Sequence, residues 1–135
     1  MAQAGPARDA DLYILHRGLR NFVFLNLYPY TAGHILVAPY VHVASLGGLD
    51  DPALHEMMDL ARQSEAALQS IYGCEGLNLG MNLGKCAGAG VADHLHLHCV
   101  PRWTGDANFM SVISETRVLP EALETTYMKL RGAFC

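Results

Sequence analysis

Histidine and leucine alternate over residues 94–98, and this alternation restricts the fold more than any other feature of the chain. In a β-strand, His94, His96 and His98 would point to one face, and Leu95 and Leu97 to the other. Side chains on the same face start about 7 Å apart, so the three rings can line a shallow groove. Each imidazole has two nitrogens that need partners, so three aligned histidines do not suit an apolar core.

The remaining sequence predicts an α+β fold with an antiparallel sheet of about five strands. Strands are predicted at residues 12–16, 21–27, 34–37, 76–83 and 94–100 from aromatic and β-branched content or from period-two alternation. Asp50 and Pro52 indicate the start of a long helix that ends at Gly73, and residues 119–131 predict a shorter terminal helix. Five apolar residues at helical spacing are expected to form the buried face of the long helix: Leu54, Met58, Ala61, Leu68 and Ile71.

The bulk properties of the chain narrow its functional class. Its 135 residues suit a flexible start at residues 1–11 and one domain over residues 12–135, of which residues 102–135 would be a C-terminal extension. A net charge of -4 with 9 scattered Lys and Arg residues argues against a general nucleic-acid binder. No apolar run reaches the roughly 20 residues of a membrane span, and no signal peptide is visible. Four cysteines without a CxxC pair suit free thiols in a reducing cytoplasm.

The histidine segment has three interpretations: a ladder of structural histidines, a metal site, or phosphate chemistry. Histidine on alternate strand positions can bind zinc, and imidazole can also act as a nucleophile or proton donor near neutral pH. The loop before the strand favours an anion, because Gly84, Gly88 and Gly90 allow successive backbone N–H groups to form a nest.

Residues 94–100, HLHLHCV, resemble the HφHφHφφ signature of the histidine-triad superfamily, where φ is an apolar residue. The resemblance covers nearly the whole chain. It includes the segments NLYPYTAGH at 26–34, LVAP at 36–39 and NLGMNLG at 78–84. The segment PRWTGDANF at 101–109 is similar to the branch that contains diadenosine tetraphosphate phosphorylases and hydrolases.

The resemblance implies roles for four histidines. His96 would be the nucleophile that forms a covalent nucleotidyl-histidine, and His98 would contact the phosphate. His94 would hold the ring of His96 through its backbone carbonyl or through His34, which matches a fourth histidine behind the triad. A carbonyl that accepts from Nδ1–H of His96 would leave Nε2 free to attack.

The resemblance also implies a nucleotide site. Asn26 would bind the ribose hydroxyls, Phe24 and Leu27 would line the base pocket, and Asn82 would reach the phosphates. Backbone N–H groups of Gly88 and Gly90 would bind the phosphates that are not transferred.

Two departures from the family pattern have consequences. Many relatives carry Ser or Thr where this chain has Gly90, so a hydroxyl that would assist the leaving group is missing. Some relatives also have an upstream CxxC that joins two histidines around zinc. His42 and His94 resemble those two histidines, but two side chains alone would hold zinc weakly, so we predict no metal and no required cofactor.

The activity that the resemblance implies is cleavage of an adenine dinucleoside polyphosphate at the α-phosphate, with water or phosphate as acceptor. A nucleoside phosphoramidate hydrolase and a nucleotide-binding sensor with little turnover remain the alternatives. Members of the superfamily are usually dimers, so we expect a homodimer or a higher homo-oligomer.

Overall fold

The computed structural model describes residues 3–91, 93–107 and 121–134. Five strands form one antiparallel sheet in the order β1-β2-β3-β5-β4: β1 (Ile14–Arg17), β2 (Asn21–Leu25), β3 (Ile35–Pro39), β4 (Gly76–Gly80) and β5 (Leu97–Arg102). The described residues also contain two α-helices, α1 (Asp51–Tyr72) and α2 (Leu123–Leu130), and short 3-10 turns at Pro6–Arg8, Leu46–Gly48 and Lys85–Ala87. The predicted α+β class and five-stranded sheet are confirmed. Neither described helix is long and apolar enough to cross a membrane.

One face of the sheet packs against α1 and forms the main core. The strand residues on this face are apolar and buried: Val23, Leu25, Ile35, Val37, Leu97 and Cys99. The other face of the sheet carries a smaller apolar cluster around Ile14, Phe22 and Ala38, and this face is partly open. The sheet therefore has one sealed face and one face on which side chains remain accessible.

Helix α1 begins and ends at the predicted signals. The Asp50 side chain accepts a hydrogen bond from the Ala53 N–H at 2.9 Å, and Gly73 ends the helix in the left-handed region at φ 59°. The predicted buried face is wrong at two positions, since Met58 is 57% exposed and Ile71 is 37% exposed. The buried stripe is rotated by about one residue: Ala53, Met57, Leu60, Ala61, Ser64, Ala67 and Leu68.

Strand β5 begins three residues later and ends two residues later than the sequence predicts, and it contains Pro101 instead of ending before it. Thr31 donates a hydrogen bond from its hydroxyl to the Pro101 carbonyl, so the backbone of Pro101 faces the β3 side. Regular β3 begins only at Ile35, so no β3 carbonyl requires the N–H that proline lacks. His94 and His96 consequently precede the regular strand.

The terminal segments add the second helix and a 3-10 turn to the fold. Helix α2 begins at Leu123, and the predicted start near residue 119 lies in the range 108–120, outside the described residues. The Glu121 carboxylate accepts hydrogen bonds from the Tyr72 and Thr126 hydroxyls, which joins this helix to α1. Residues 3–11, expected to be flexible, contain a 3-10 turn, and the Ile14 N–H donates to the Asp9 carbonyl at 2.8 Å.

The carboxylate of Glu56 joins α1 to the turn between β1 and β2. It accepts hydrogen bonds of 2.7–2.8 Å from the backbone N–H groups of Leu19, Arg20 and Asn21, and another of 2.8 Å from the Asn21 side chain. A Cβ on Gly18 would stand 2.9 Å from both the Asn21 carbonyl oxygen and Glu56 Oε1, so position 18 of this turn has no room for a side chain. Burial acts to raise the pKa of Glu56, but the hydrogen bonds outweigh it and the pKa lies below 4.5.

We predict that Glu56→Gln lowers the free energy of unfolding at pH 7 by about 1–3 kcal/mol, because an amide N–H₂ would face backbone donors. Since the folded pKa is depressed, this stabilisation is present above the ordinary pKa and is lost as pH falls through the folded value. Urea unfolding of the parent and variant at neutral and acidic pH measures the difference. Glu65→Gln, an exposed change on the same helix, is the control. A difference that stays constant down to acidic pH would contradict the role of Glu56.

Candidate active site

The open face of the sheet lines a cavity of about 730 Å³. Strand register places Phe24 of β2 beside Leu36 of β3, and Leu36 beside His98 of β5, so these side chains form one row across the sheet. His94 and His96 reach the same cavity from the segment that leads into β5. The three predicted histidines are therefore brought together on one wall.

The hydrogen bond made by His96 determines which of its ring nitrogens carries the proton. Nδ1 of His96 lies 2.9 Å from the backbone carbonyl oxygen of His94. A carbonyl only accepts, so Nδ1 donates and Nε2 of the neutral ring keeps its lone pair. His96 is half-buried and lines the cavity, so this lone pair belongs to an accessible nitrogen.

A second chain of hydrogen bonds orients His98 through the buried His34. The Tyr30 backbone N–H donates to Nδ1 of His34 at 3.1 Å, and the Asn26 amide approaches the same nitrogen at 3.4 Å. Because Nδ1 of His34 accepts, the proton of the neutral ring is on Nε2, which donates to Nδ1 of His98 at 2.9 Å. His98 must then carry its own proton on Nε2.

The Nε2–H of His98 is a donor that the described residues leave unpaired. This nitrogen is buried and has no hydrogen-bond partner among the described residues. Burial lowers the pKa of His98, and the neighbouring His96 lowers it further, so the ring stays neutral near physiological pH. The rings of His96 and His98 lie 4.9 Å apart between centroids. The lone pair of His96 and the covered, unpartnered N–H of His98 therefore lie on neighbouring rings of the cavity wall.

His94 has a different environment from the other two histidines of the triad. Its Nε2 donates to the Pro39 carbonyl at 2.9 Å, so its Nδ1 accepts from Nδ1 of His42 at 3.1 Å. Both ring nitrogens are occupied, and its contact with His96 is made by the backbone carbonyl rather than through His34. His42 and His94, the two histidines that resemble the family's zinc ligands, thus lie side by side, and the described residues hold no cluster of three or more metal-ligand side chains around them.

The glycine loop forms another part of the cavity wall. Gly88 adopts φ 87°, which side chains rarely tolerate, and its carbonyl accepts a weak hydrogen bond of 3.4 Å from the Asn82 amide. Gly90 is outside the left-handed region, and a Cβ there would meet open space. Asn82, Gly88 and Gly90, all predicted for the phosphates, line the same cavity as the histidines.

Aromatic side chains form the remaining wall, beyond the predicted Phe24. The Phe22 ring stacks on Phe24 at 4.9 Å and on Tyr40 at 5.4 Å between centroids. Asn26 also lines the cavity, whereas Leu27 is 48% exposed and lies outside the lining. The alternation of side chains along a strand could have identified Phe22 as a pocket residue and excluded Leu27. Phe22, Phe24 and Asn26 are two residues apart and point to the same face, whereas Leu27 points to the other.

The segment after β5 has a structural role in the described residues. Arg102 donates from Nε and Nη2 to the two carboxylate oxygens of Asp106, and its Nη1 donates to Asn78. The hydrogen bond from Arg102 holds the pKa of Asp106 well below its usual range. Asn108 and Phe109, the end of the PRWTGDANF motif, lie outside the described residues.

Comparison with known proteins agrees with this geometry. The HIT domain family model matches residues 13–105. A curated AP-4-A phosphorylase from Mycobacterium tuberculosis is 40% identical over 118 residues, which are 87% of this chain and 60% of that protein. An asymmetrical bis(5'-nucleosyl)-tetraphosphatase from Schizosaccharomyces pombe is 29% identical over 69% of this chain and 50% of its own length. The chain thus spans about 60% of the mycobacterial relative.

Solved structures show the same fold. A zinc-bound histidine triad family protein from Mycobacterium smegmatis superposes with a TM-score of 0.75 at 28% identity, over 94% of this chain and 86% of that one. The C. elegans NitFhit protein superposes with a TM-score of 0.74 at 27% identity, over 90% of this chain and 27% of that one. With the family model matched over most of its length and the triad on the open face of the expected sheet, the chain belongs to the HIT domain family.

Proposed function

We propose that this chain cleaves a dinucleoside polyphosphate of the diadenosine tetraphosphate type at the α-phosphate, through a covalent nucleotidyl-His96 intermediate. The observation that carries the proposal is the hydrogen bond from Nδ1 of His96 to the His94 carbonyl, which leaves Nε2 able to attack. The printed names of the mycobacterial and fission-yeast relatives support the substrate class.

In the first step, the lone pair on Nε2 of His96 forms a bond to the α-phosphorus, and the bond from phosphorus to the bridging oxygen breaks. The bridging oxygen keeps the electron pair, so diadenosine tetraphosphate releases ATP. The His96 ring becomes cationic, and the His94 carbonyl stabilises it by accepting from Nδ1–H. The Nε2–H of His98 would donate to the oxygens on which negative charge develops.

In the second step, water or inorganic phosphate attacks the same phosphorus, and the bond from phosphorus to Nε2 of His96 breaks. The electron pair returns to the imidazole, and the incoming group releases one proton to solvent. Water yields AMP and phosphate yields ADP. The same in-line geometry serves both steps, because the phosphorus is held between the attacking and leaving groups.

The walls of the cavity suit the parts of a nucleotide. Phe22 and Phe24 offer apolar ring faces to a base, and Asn26 lines the same cavity with its amide 3.4 Å from Nδ1 of His34. The Asn26 side chain donates to His34 and accepts from the Tyr28 N–H at 2.9 Å, so one N–H and one lone pair remain for a ribose diol. The acceptor, the absence of a required metal, the cytoplasmic location and the homodimer stay predictions.

We predict that His96→Ala lowers turnover of diadenosine tetraphosphate by about 10⁴-fold, since loss of a covalent nucleophile has costs of this order. Products are separated after incubation with and without phosphate. ATP plus ADP formed only with phosphate indicates a phosphorylase, and ATP plus AMP without phosphate indicates a hydrolase. His55→Ala, an exposed change on α1, is the control and should keep parent activity.

Other outcomes of this assay contradict the proposal. Full activity of His96→Ala would remove the nucleophile assignment, and two ADP molecules would exclude attack at the α-phosphate. Faster turnover of an adenosine phosphoramidate than of diadenosine tetraphosphate would favour the phosphoramidate alternative. Tight nucleotide binding without products would favour a sensor.

We predict that Gly90→Ser raises kcat by about tenfold, because it restores a hydroxyl donor beside the leaving group. The change should leave the free energy of unfolding within about 0.5 kcal/mol of the parent, because Cβ meets open space and φ is ordinary. Gly88→Ser is the matched control for stability. A serine at φ 87° is strained, so this variant should lower the free energy of unfolding by about 1 kcal/mol or more. Steady-state kinetics and urea unfolding measure both variants, and an unchanged or lower kcat in Gly90→Ser would contradict this role.

A further inference from the structure

Gln3 lies at the rim of the cavity, in a segment that the proposed mechanism does not use. Its side chain lines the cavity together with Phe22, Phe24 and Tyr40. It is exposed, and no described residue hydrogen-bonds its carboxamide. A long amide side chain is thus available at the aromatic end of the site.

Arg17 holds this N-terminal segment against the sheet. Its Nε and Nη2 donate to the Asp9 carboxylate at 3.0 and 2.7 Å, and Nη2 also donates to the Ala4 carbonyl at 2.7 Å. The ion pair is only partly accessible, with side-chain exposures of 19% for Arg17 and 24% for Asp9. Arg17 also hydrogen-bonds the Tyr40 hydroxyl, so one guanidinium joins the segment next to Gln3 to the aromatic wall.

The strand order separates His98 from the aromatic residues of β2. From His98 on β5, the sheet passes through β3 to Phe24 on β2 and then to β1, and neighbouring strands are about 4.8 Å apart. For a nucleotide with its phosphate at His96 and His98, Phe22 and Phe24 on β2 are the stacked apolar rings of the same cavity that suit its base. The outer edge of that base would face β1 and the segment that Arg17 holds beside it.

We propose that Gln3 hydrogen-bonds the polar edge of the bound adenine, and that Arg17 and Asp9 position it. The proposal rests on the proposed function, because it needs a nucleotide with its phosphate at His96. Adenine presents an amino donor next to a ring-nitrogen acceptor, and a carboxamide has an oxygen acceptor and an N–H donor at matching spacing. Stacking on Phe22 and Phe24 accepts any base, so Gln3 supplies the contact that distinguishes adenine.

The test compares binding of AMP with binding of purine riboside 5'-monophosphate, which lacks the amino group, by calorimetry. We expect the parent to bind AMP about five- to tenfold more tightly than the analogue, and Gln3→Leu to bind both equally. Gln69→Leu, on the exposed surface of α1 behind the opposite face of the sheet, should keep the parent preference. An AMP preference that survives in Gln3→Leu would overturn the proposal.

Failure of this inference and failure of the proposed function give different results. If the parent binds AMP but Gln3→Leu behaves like the parent, the role of Gln3 is excluded and the His96 mechanism stands. If the parent binds neither nucleotide, both proposals are excluded. Because only binding is measured, the result does not depend on the acceptor or on turnover.

The positioning role of Arg17 has its own measurement. Asp9→Ala removes the carboxylate that orients the guanidinium, and it should raise KM for diadenosine tetraphosphate while leaving kcat within about twofold, because it changes binding and not the reacting groups. The double variant Gln3→Leu with Asp9→Ala should bind AMP no more weakly than Gln3→Leu alone, because both changes remove the same contact between Gln3 and adenine. Additive losses, or an equal fall in kcat, would overturn the positioning role.

Discussion

The hydrogen bond from Nδ1 of His96 to the backbone carbonyl of His94 is the interaction on which the site depends. It assigns the ring proton to the nitrogen that faces the protein, and so leaves the other nitrogen with its lone pair at the cavity. A parallel chain through His34 has the opposite effect on His98, whose Nε2 carries the proton and becomes a donor. Two histidines thus acquire opposite hydrogen-bonding roles because His96 bonds a backbone carbonyl and His98 bonds the ring of His34.

The fold positions these hydrogen-bond partners because one face of the sheet is covered by α1 and the other lines the cavity. Alternating apolar residues seal one face under α1, and Glu56 fixes the β1–β2 turn to that helix. The opposite face keeps Phe24, Leu36 and His98 in one row, with the glycine loop at its margin. The packed core on the sealed face therefore holds the strands in place, and the strands hold the side chains of the open face in their hydrogen-bonded positions.

Much of the fold and the position of the histidine triad could be predicted from the sequence, because strand alternation and helix start and stop signals are local patterns. The α1 boundaries followed from Asp50 and Gly73, and the triad followed from residues 94–98. The sequence did not predict features that depend on residues distant along the chain. Pro101 can lie inside β5 because regular β3 begins only at Ile35, opposite Cys99. The contribution of residues 3–11 to the site was also hidden, since Arg17 brings that segment to the cavity through an ion pair that no local pattern reveals.

The most direct measurement is the protonation state of the triad imidazoles in the free protein, by long-range ¹H–¹⁵N NMR at near-neutral pH. Signals are assigned with His96→Ala and His98→Ala samples. The account predicts that His96 carries its proton on Nδ1 and has a bare Nε2, whereas His98 carries its proton on Nε2. A proton on Nε2 of His96 in the neutral ring would contradict it, because the nitrogen that faces the cavity could then not attack phosphorus.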